Sequence, residues 1–519
     1  MTHIGTVERG IAEWPAFWAR YTPDRPALVF GQRVLSWREL EDGVARVAGG
    51  LRAAGIARGD RVGFLARNTP EFFEVLLACG RLGAIMVPFN VRLSAGEITH
   101  IAEDADISLL VTERFFDDRS DRILARLGTA YDLDDPPPGR HHYRDLHGPP
   151  LADGDDADQG RPAVTLDDPL LLVYTSGTTG HAKAAVITHG NATGTSIAVI
   201  NADGIGPTDR IVVPAPLAFA GSVLSLGMPM MHAGASMVIE REIDPEHLLD
   251  LVEHGGVTML KIVPVIYQMM AATPGFATRD LSGLRSATCG GSPVALGLLQ
   301  TYQAKGVALS SAYGLTEGCG YNLCLPPEDV VDRIGWVGLP LPFQRCRVVD
   351  DDDRPVAAGE IGELTIAGPC VMAGYWRAPE ATASTVRNGW LHTGDLAIAD
   401  EHGYLRIVDR KKDMLISGGI NVYPAEVERI LVAHPDVVDV AVVGVPDPRW
   451  GEAPFAYVVT DDATLTLDRL VDGLRDELAD FKRPRHLVVL DELPRNPNGK
   501  VLRRDLRDRA RAHIRAATP

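Results

Sequence analysis

The sequence predicts a large α/β domain followed by a small α+β domain, and three observations carry that expectation. The chain has 519 residues, which at roughly 100–200 residues per folding unit makes two to four units. Between residues 36 and 112, short apolar runs alternate with helical stretches, the pattern of a parallel sheet covered on both faces. Near 409–413 the run Asp409-Arg410-Lys411-Lys412-Asp413 separates LRIV from a glycine pair and a new series of short elements. The division expected is therefore 1–409 and 410–519.

From Ser36, the spacing of Leu40, Val44, Val47 and Leu51 puts four apolar side chains on one helical face, and Ser36 with Glu39 fits a capping box. RVGFL at 61–65, GAIMVP at 83–88 and ISLLVT at 107–112 read as strands, with an apolar helix at 71–82. Residues 133–168 are crowded with Asp, Pro and Gly and show no period, so they read as a long surface connection. Beyond 413 the pattern predicts a helix near 424–433, strands near 438–445 and 454–460, a helix near 466–480, a strand at 486–490 and a closing helix from about 501.

Composition excludes several classes. Hydrophobic residues make up 45% and charged residues 23%, enough for sizeable cores. The net charge of -18 makes nucleic acid a poor partner, since phosphate-backbone binders are held by basic surfaces. That excess is acidic only in the large part, because residues 410–519 hold 18 basic and 18 acidic side chains. Six cysteines in so long a chain make no disulfide framework, and Cys319 with Cys324 lacks the neighbouring His or Cys of a zinc site. No uncharged run approaches ~18 residues, so neither signal peptide nor membrane span is expected, and the cytoplasm is the expected location.

Chemistry concentrates at Tyr174-Thr175-Ser176-Gly177-Thr178-Thr179-Gly180-His181-Ala182-Lys183, after the apolar run LLLV. Glycines let backbone approach an anion, hydroxyls and amides supply neutral donors, and the lysine supplies charge. It is not a Walker A loop, for no Gly-Lys-Ser/Thr closes it. On composition alone, a Ser/Thr/Gly turn at a strand end is an equal reading.

The rest of the chain decides between them. YTSGTTGHAK at 174–183, GGSP at 290–293, AYGLTE at 312–317, GYW at 374–376, GWLHTGDLA at 389–397, GYLRIVDRKKDMLISGGINVYPAEVE at 403–428 and PRNPNGK at 494–500 resemble, in order, the motifs of the AMP-forming acyl-CoA synthetases. That superfamily also holds firefly luciferase and the adenylation domains of peptide synthetases. The resemblance implies a large α/β N-terminal domain with a β-barrel-like subdomain and a small, mobile α+β C-terminal domain. It implies activation of a carboxylic acid by ATP to acyl-AMP and pyrophosphate, then displacement of AMP by a thiol, with ATP, Mg²⁺ and CoA required and no protein nucleophile.

The resemblance also implies residue roles. Thr175, Ser176, Gly177, Thr178, Thr179, Gly180 and Lys183 would hold the β- and γ-phosphates, although Ala182 and Ala184 stand where the pattern usually has Pro and Gly. Thr316 would contact the α-phosphate and Glu317 would ligate Mg²⁺. Gly290, Gly291, Ser292, Ser311, Ala312, Tyr313 and Gly314 match the adenine pocket, and Asp395, Ile407 and Arg410 the ribose site. Lys500 would bridge the attacking carboxylate and the α-phosphate. Rotation of the small domain at Lys411-Lys412 would exchange Lys500 for Gly418-Gly419, lining a pantetheine tunnel. Taken singly, each of these has a plainer reading as a turn, core or solvated residue.

The acid is read from Phe219, Ala220, Gly221, Val265, Cys289 and Gly314, an apolar set that is also consistent with ordinary core. Ala220 stands where amino-acid-activating domains carry an Asp, and a buried ammonium without a counter-ion costs several kcal/mol. A medium-chain, alicyclic or aromatic acid is expected over acetate, malonate or an amino acid. The thiol of an acyl carrier protein, a non-catalytic nucleotide-binding relative and a homodimeric assembly stay open at this point.

Overall fold

In the computed structural model, residues 10–127, 129–151, 163–175, 182–291, 294–462, 464–472, 478–495 and 500–517 are described. They form two compact units, Met1–Cys346 with Ile366–Leu391 and Arg347–Thr365 with His392–Pro519. The smaller unit thus starts upstream of residue 410, because the strand Leu405–Arg410 pairs with Trp390–Ala399, and Arg347 is bonded to Thr365.

The larger unit holds two sheets. One has a core of six parallel strands, in the spatial order 309–313, 286–290, 259–262, 210–213, 236–239 and 26–30, with short antiparallel strands at both edges. The other runs 169–175, 85–88, 61–65, 109–112, 130–132 and 141–142, all parallel, and ends in the antiparallel strands 183–188 and 374–375. The fully buried runs at Leu109–Thr112 and Ile85–Pro88 are what a sheet covered on both faces requires.

The helix Trp37–Ala53 forms as its pattern demands: Leu40, Val44, Val47 and Leu51 are buried, and Ser36 and Glu39 make the reciprocal capping box. The connection after 133 is not wholly on the surface. Tyr143, Leu146 and Leu151 are buried, and backbone from 146 to 149 lies directly on that helix. A Cβ at Gly50 would fall 1.5 Å from the Leu146 carbonyl oxygen and one at Gly49 1.9 Å from that of Pro149. The helix therefore tolerates two glycines whose intrinsic cost is about 1 kcal/mol each.

Tyr143 donates its O–H to Glu74 at 2.8 Å. Burial, with Glu71 nearby, pushes the Glu74 carboxyl up from 4.5 to about 7. A carboxyl raised on folding contributes stability below its unfolded value that is lost as pH rises through the folded one. Glu74→Gln, which mimics the protonated form, is expected to leave the melting temperature unchanged near pH 4.5 and raise it by about 5 °C at pH 8. Equal shifts at both pH values, read by scanning calorimetry, would refute this.

In the smaller unit, strands Ile361–Ala367, Trp390–Ala399 and Leu405–Arg410 continue a sheet begun by Arg345–Val349. A second sheet takes the order 420–422, 415–417, 451–459, 439–447, with 486–489 parallel to 451–459. Helix Pro424–Leu431 covers one face through Val427 and Leu431, and Arg503–Ala517 the other through Leu506 and Ala510. The helix expected at 466–480 is observed over Leu467–Asp472; residues 473–477 lie outside the described residues. Among the described residues, no helix is long and apolar enough to cross a membrane.

Candidate active site

The glycine- and hydroxyl-rich loop joins two antiparallel strands, Pro169–Thr175 and Lys183–Thr188, in which Thr175 faces Lys183. Thr175 donates its Oγ1–H to the Lys183 carbonyl at 3.3 Å, closing the base of the loop. Ser176, Gly177, Thr178, Thr179 and Gly180 lie outside the described residues, as does Ser292.

The neighbouring strand Gly374–Tyr375 pairs Tyr375 with Ala185, two residues past the lysine. Lys183 Nζ sits 5.6 Å from the centre of the Tyr375 ring, and the Tyr375 hydroxyl donates to Glu317 Oε1 at 2.8 Å. One tyrosine thus links the loop lysine to the motif carboxylate. GYW marked that position in the sequence, but nothing in its spacing showed that the ring spans the gap from residue 183 to residue 317.

Gly290, Ser311, Ala312 and Tyr313 stand at the C-terminal ends of two adjacent parallel strands, where ligands bind in open α/β sheets. Gly290 faces Ala312, and a Cβ on it would lie 3.3 Å from the Ala312 carbonyl oxygen. Gly291 has φ +85, a conformation that disfavours any side chain. Thr316 and Glu317 follow on a short 3₁₀ turn held by Asn322, whose Nδ2 donates to the Gly318 carbonyl at 2.7 Å, and the Met372 N–H donates to the Glu317 carbonyl at 2.9 Å.

The apolar set splits. Ala220 is buried, Phe219 is half-buried ahead of it, and the Cβ direction of Gly221 is open. At Gly314 backbone fills the Cβ direction, since the carbonyl oxygen of Gly320 would lie 2.2 Å from a Cβ there. Cys289 is buried beside Tyr267 and Tyr302, with its thiol pushed up to about 12 by burial, and Val265 is 55% exposed. A groove of about 300 Å³ opens next to the segment Pro214–Ala218, and Asn68, Phe72 and Phe89 line it together with the charged Arg67, Arg241 and Glu242.

In the smaller unit Asp395 and Arg410 face each other on antiparallel strands, with Arg410 Nε 2.5 Å from Asp395 Oδ1 and Ile407 nearby opposite Ala397. The Asp395 carboxylate is buried and its loop is pinned from below: Glu363 accepts the Gly394 N–H at 3.1 Å and Lys411 Nζ at 3.2 Å. Lys411 also reaches Asp351 at 2.8 Å, so it is an anchored residue rather than a solvated one. Asp409 accepts the N–H of Arg410 at 2.7 Å and, at 2.8 Å, that of Ala425 in the first turn of the helix Pro424–Leu431. Gly418 and Gly419 form the two-residue tip between strands 415–417 and 420–422, with φ +61 and +80, as a type I′ hairpin turn requires. Lys500 is exposed next to Val501, which bridges to Arg495; residues 496–499 lie outside the described residues.

Residues 16–376 match the AMP-binding enzyme family and residues 426–500 its C-terminal domain. The chain belongs to the AMP-binding enzyme family. It is 40% identical over 504 residues to the feruloyl-CoA synthase of an Amycolatopsis species, covering 96% of this chain and 99% of the relative. It is 37% identical over 500 residues to the indoleacetate–CoA ligase of Aromatoleum aromaticum, covering 96% and 97%. The o-succinylbenzoate CoA synthetase of Bacillus subtilis, solved with its acyl-adenylate intermediate, superposes with a TM-score of 0.85 at 30% identity, covering 96% of this chain and 98% of that one. This family member has the family's large N-terminal and small C-terminal domains and is an AMP-forming acid–CoA ligase. A carboxylic acid and ATP give acyl-AMP and pyrophosphate, and the thiol of CoA then takes the acyl group.

Proposed function

We propose that the acid is a neutral monocarboxylate carrying an aromatic ring. The observation that carries this is the charge-free segment Phe219-Ala220-Gly221, with Ala220 buried and Gly221 facing open space. The two relatives named for feruloyl-CoA and indoleacetate point the same way, both acids having a ring on a short arm. An ammonium or second carboxylate brought there finds no counter-ion on that segment, and its burial costs several kcal/mol.

The residue roles are those the family resemblance implies, and the chemistry of each side chain suits its role. Lys183 and the loop it closes would hold the ATP phosphates, Tyr313 would pack on the adenine, and Asp395 with Arg410 would hold the ribose hydroxyls. Thr316 would donate to the α-phosphate. Among the described residues no group of three or more His, Cys, Asp or Glu side chains could hold a metal by itself. A single carboxylate fits Mg²⁺, which keeps several waters and binds through one or two carboxylates plus substrate phosphates. Glu317, its Oε1 taken by Tyr375, presents its other oxygen for that role. Bound there, Mg²⁺ would neutralise phosphate charge. The mixed anhydride turns a poor leaving group into a good one, so the thiolate needs no covalent help from the protein. The cytoplasm suits such an enzyme, whose co-substrates are ATP and CoA.

The test is pyrophosphate release across a panel of acids, with Mg²⁺ or EDTA, and with CoA or a phosphopantetheinylated carrier protein as acceptor. Aryl monocarboxylates are expected to exceed acetate by about two decades in kcat/KM, since each buried CH₂ contributes about 0.8 kcal/mol and four such groups make ~3 kcal/mol. EDTA should abolish release, AMP should be the nucleotide product, and CoA should be the better acceptor. Preference for malonate or an α-amino acid would overturn the reading of the acid, and ADP as product that of the nucleotide site.

A further inference from the structure

We infer that Asn68 is a positioning residue for the acid, acting through the segment that carries Phe219. It stands just past the strand Arg61–Leu65 of one sheet, and its side chain is 6% exposed. Its carboxamide's partners are at the end of a strand of the other sheet and in the segments that follow two of that sheet's strands. Oδ1 accepts the Leu217 N–H at 2.9 Å, and Nδ2 donates to the carbonyls of Ala215 at 2.9 Å and Glu240 at 3.0 Å, with that of Val213 at 3.5 Å. Val213 ends the strand Arg210–Val213, and Glu240 follows the strand Ser236–Ile239.

The need for such a side chain is written in Pro214-Ala215-Pro216-Leu217. Two prolines without N–H groups take this stretch out of any strand ladder, leaving its carbonyls and the two N–H groups of Ala215 and Leu217 to find partners elsewhere. Asn68 supplies a donor and an acceptor at one point, a pairing no other side chain of its length offers. From Leu217 the tie reaches the acid wall within two residues. Phe219 donates its N–H to the Pro216 carbonyl at 3.2 Å, and its own carbonyl accepts the N–H groups of Ser222 and Val223 at 3.0 Å, starting the buried helix. Asn68 is also among the residues lining the 300 Å³ groove beside this segment. Loss of the amide would free the Pro214–Phe219 stretch to shift. A wall displaced by an ångström changes which acids are held in attacking geometry while leaving the ATP contacts alone.

This rests on Phe219 facing the acid, and the experiment separates the two claims. Asn68→Asp keeps the size but sets a second oxygen against the carbonyls, Asn68→Ser empties the site, and Asn68→Gln moves the amide by one carbon. Each is to be measured alone and with Phe219→Ala, for KM of two acids of different ring size, KM of ATP, and ATP affinity by calorimetry. The expected result is a rise of about tenfold or more in KM for the preferred acid, with the two acids drawn together and the ATP values within about twofold. In the Phe219→Ala background the Asn68 changes should add little, since they act through that ring. If Phe219→Ala leaves acid preference unchanged, the wall reading fails. If Phe219→Ala alters preference while the Asn68 variants move all acids and ATP alike, or none of them folds, Asn68 is a structural residue and the inference is overturned.

Discussion

Replacing Lys500 with alanine is expected to lower acid-dependent pyrophosphate release by a factor on the order of 10²–10³, while thioester formation from supplied acyl-AMP changes by less than about threefold. The asymmetry follows from where charge develops. When the carboxylate attacks the α-phosphate, negative charge gathers on the non-bridging oxygens of a crowded phosphorus, and an ammonium at that point stabilises the transition state more than the ground state. In the second step the leaving AMP carries its charge away without passing through that arrangement. Lys500 is exposed beside the short bridge between Val501 and Arg495, so its replacement leaves the apolar faces of the small unit intact. Stopped-flow measurement of each half-reaction is the check, and equal loss in both would mark the lysine as structural.

The second large effect is expected at the glycine tip, in the opposite direction. Gly419→Trp should leave pyrophosphate release within about threefold and cut thioester formation by about 10²-fold, because an obstructed arm cannot bring its thiol into line. Geometry favours Gly419 over Gly418 for this experiment. A Cβ on Gly418 would meet the Trp450 ring at 2.8 Å, whereas none of the described atoms lies within 4 Å of one on Gly419. A side chain at 419 still carries a left-handed backbone cost of roughly 1–2 kcal/mol, so the unfolding temperature should be recorded beside the rates. Parallel loss of both half-reactions would count against the tip as part of the thiol's path.

How much of this was legible in the sequence depended on distance along the chain. The helix at 37–53 was readable because its capping box and its apolar face lie within one element. Gly418-Gly419 stood out only as a glycine pair, and the two-residue turn with positive φ that calls for it was seen in the structure. Tyr375 was visible only as a motif letter, since its partners Lys183 and Glu317 lie far from it in sequence and meet it only through strand pairing. Asn68 left no signal at all, being an asparagine ahead of a proline whose bonds span 145 residues or more. Why residue 314 is glycine was not legible, because a glycine that makes room for a ligand and one that makes room for backbone read alike; the Gly320 carbonyl lies where a Cβ would be. Tyr143 and Leu146 were missed because their surroundings lie far back in the chain, Glu74 for the one and, for the backbone at the other, a helix glycine about a hundred residues earlier.

The Asp409 carboxylate holds the N–H of Ala425 from the far side of Lys411 and Lys412. Were the chain to turn at that lysine pair, as the family resemblance implies, the two would part. A hydrogen bond to a charged group is worth roughly 1.5–3 kcal/mol, so the tie biases the resting population toward the unturned arrangement by one to two powers of ten. An enzyme that alternates between two arrangements has to recover that difference from its ligands in every cycle. In such a cycle acyl-AMP and CoA would act as the weights that tip a balance which the free chain holds on one side.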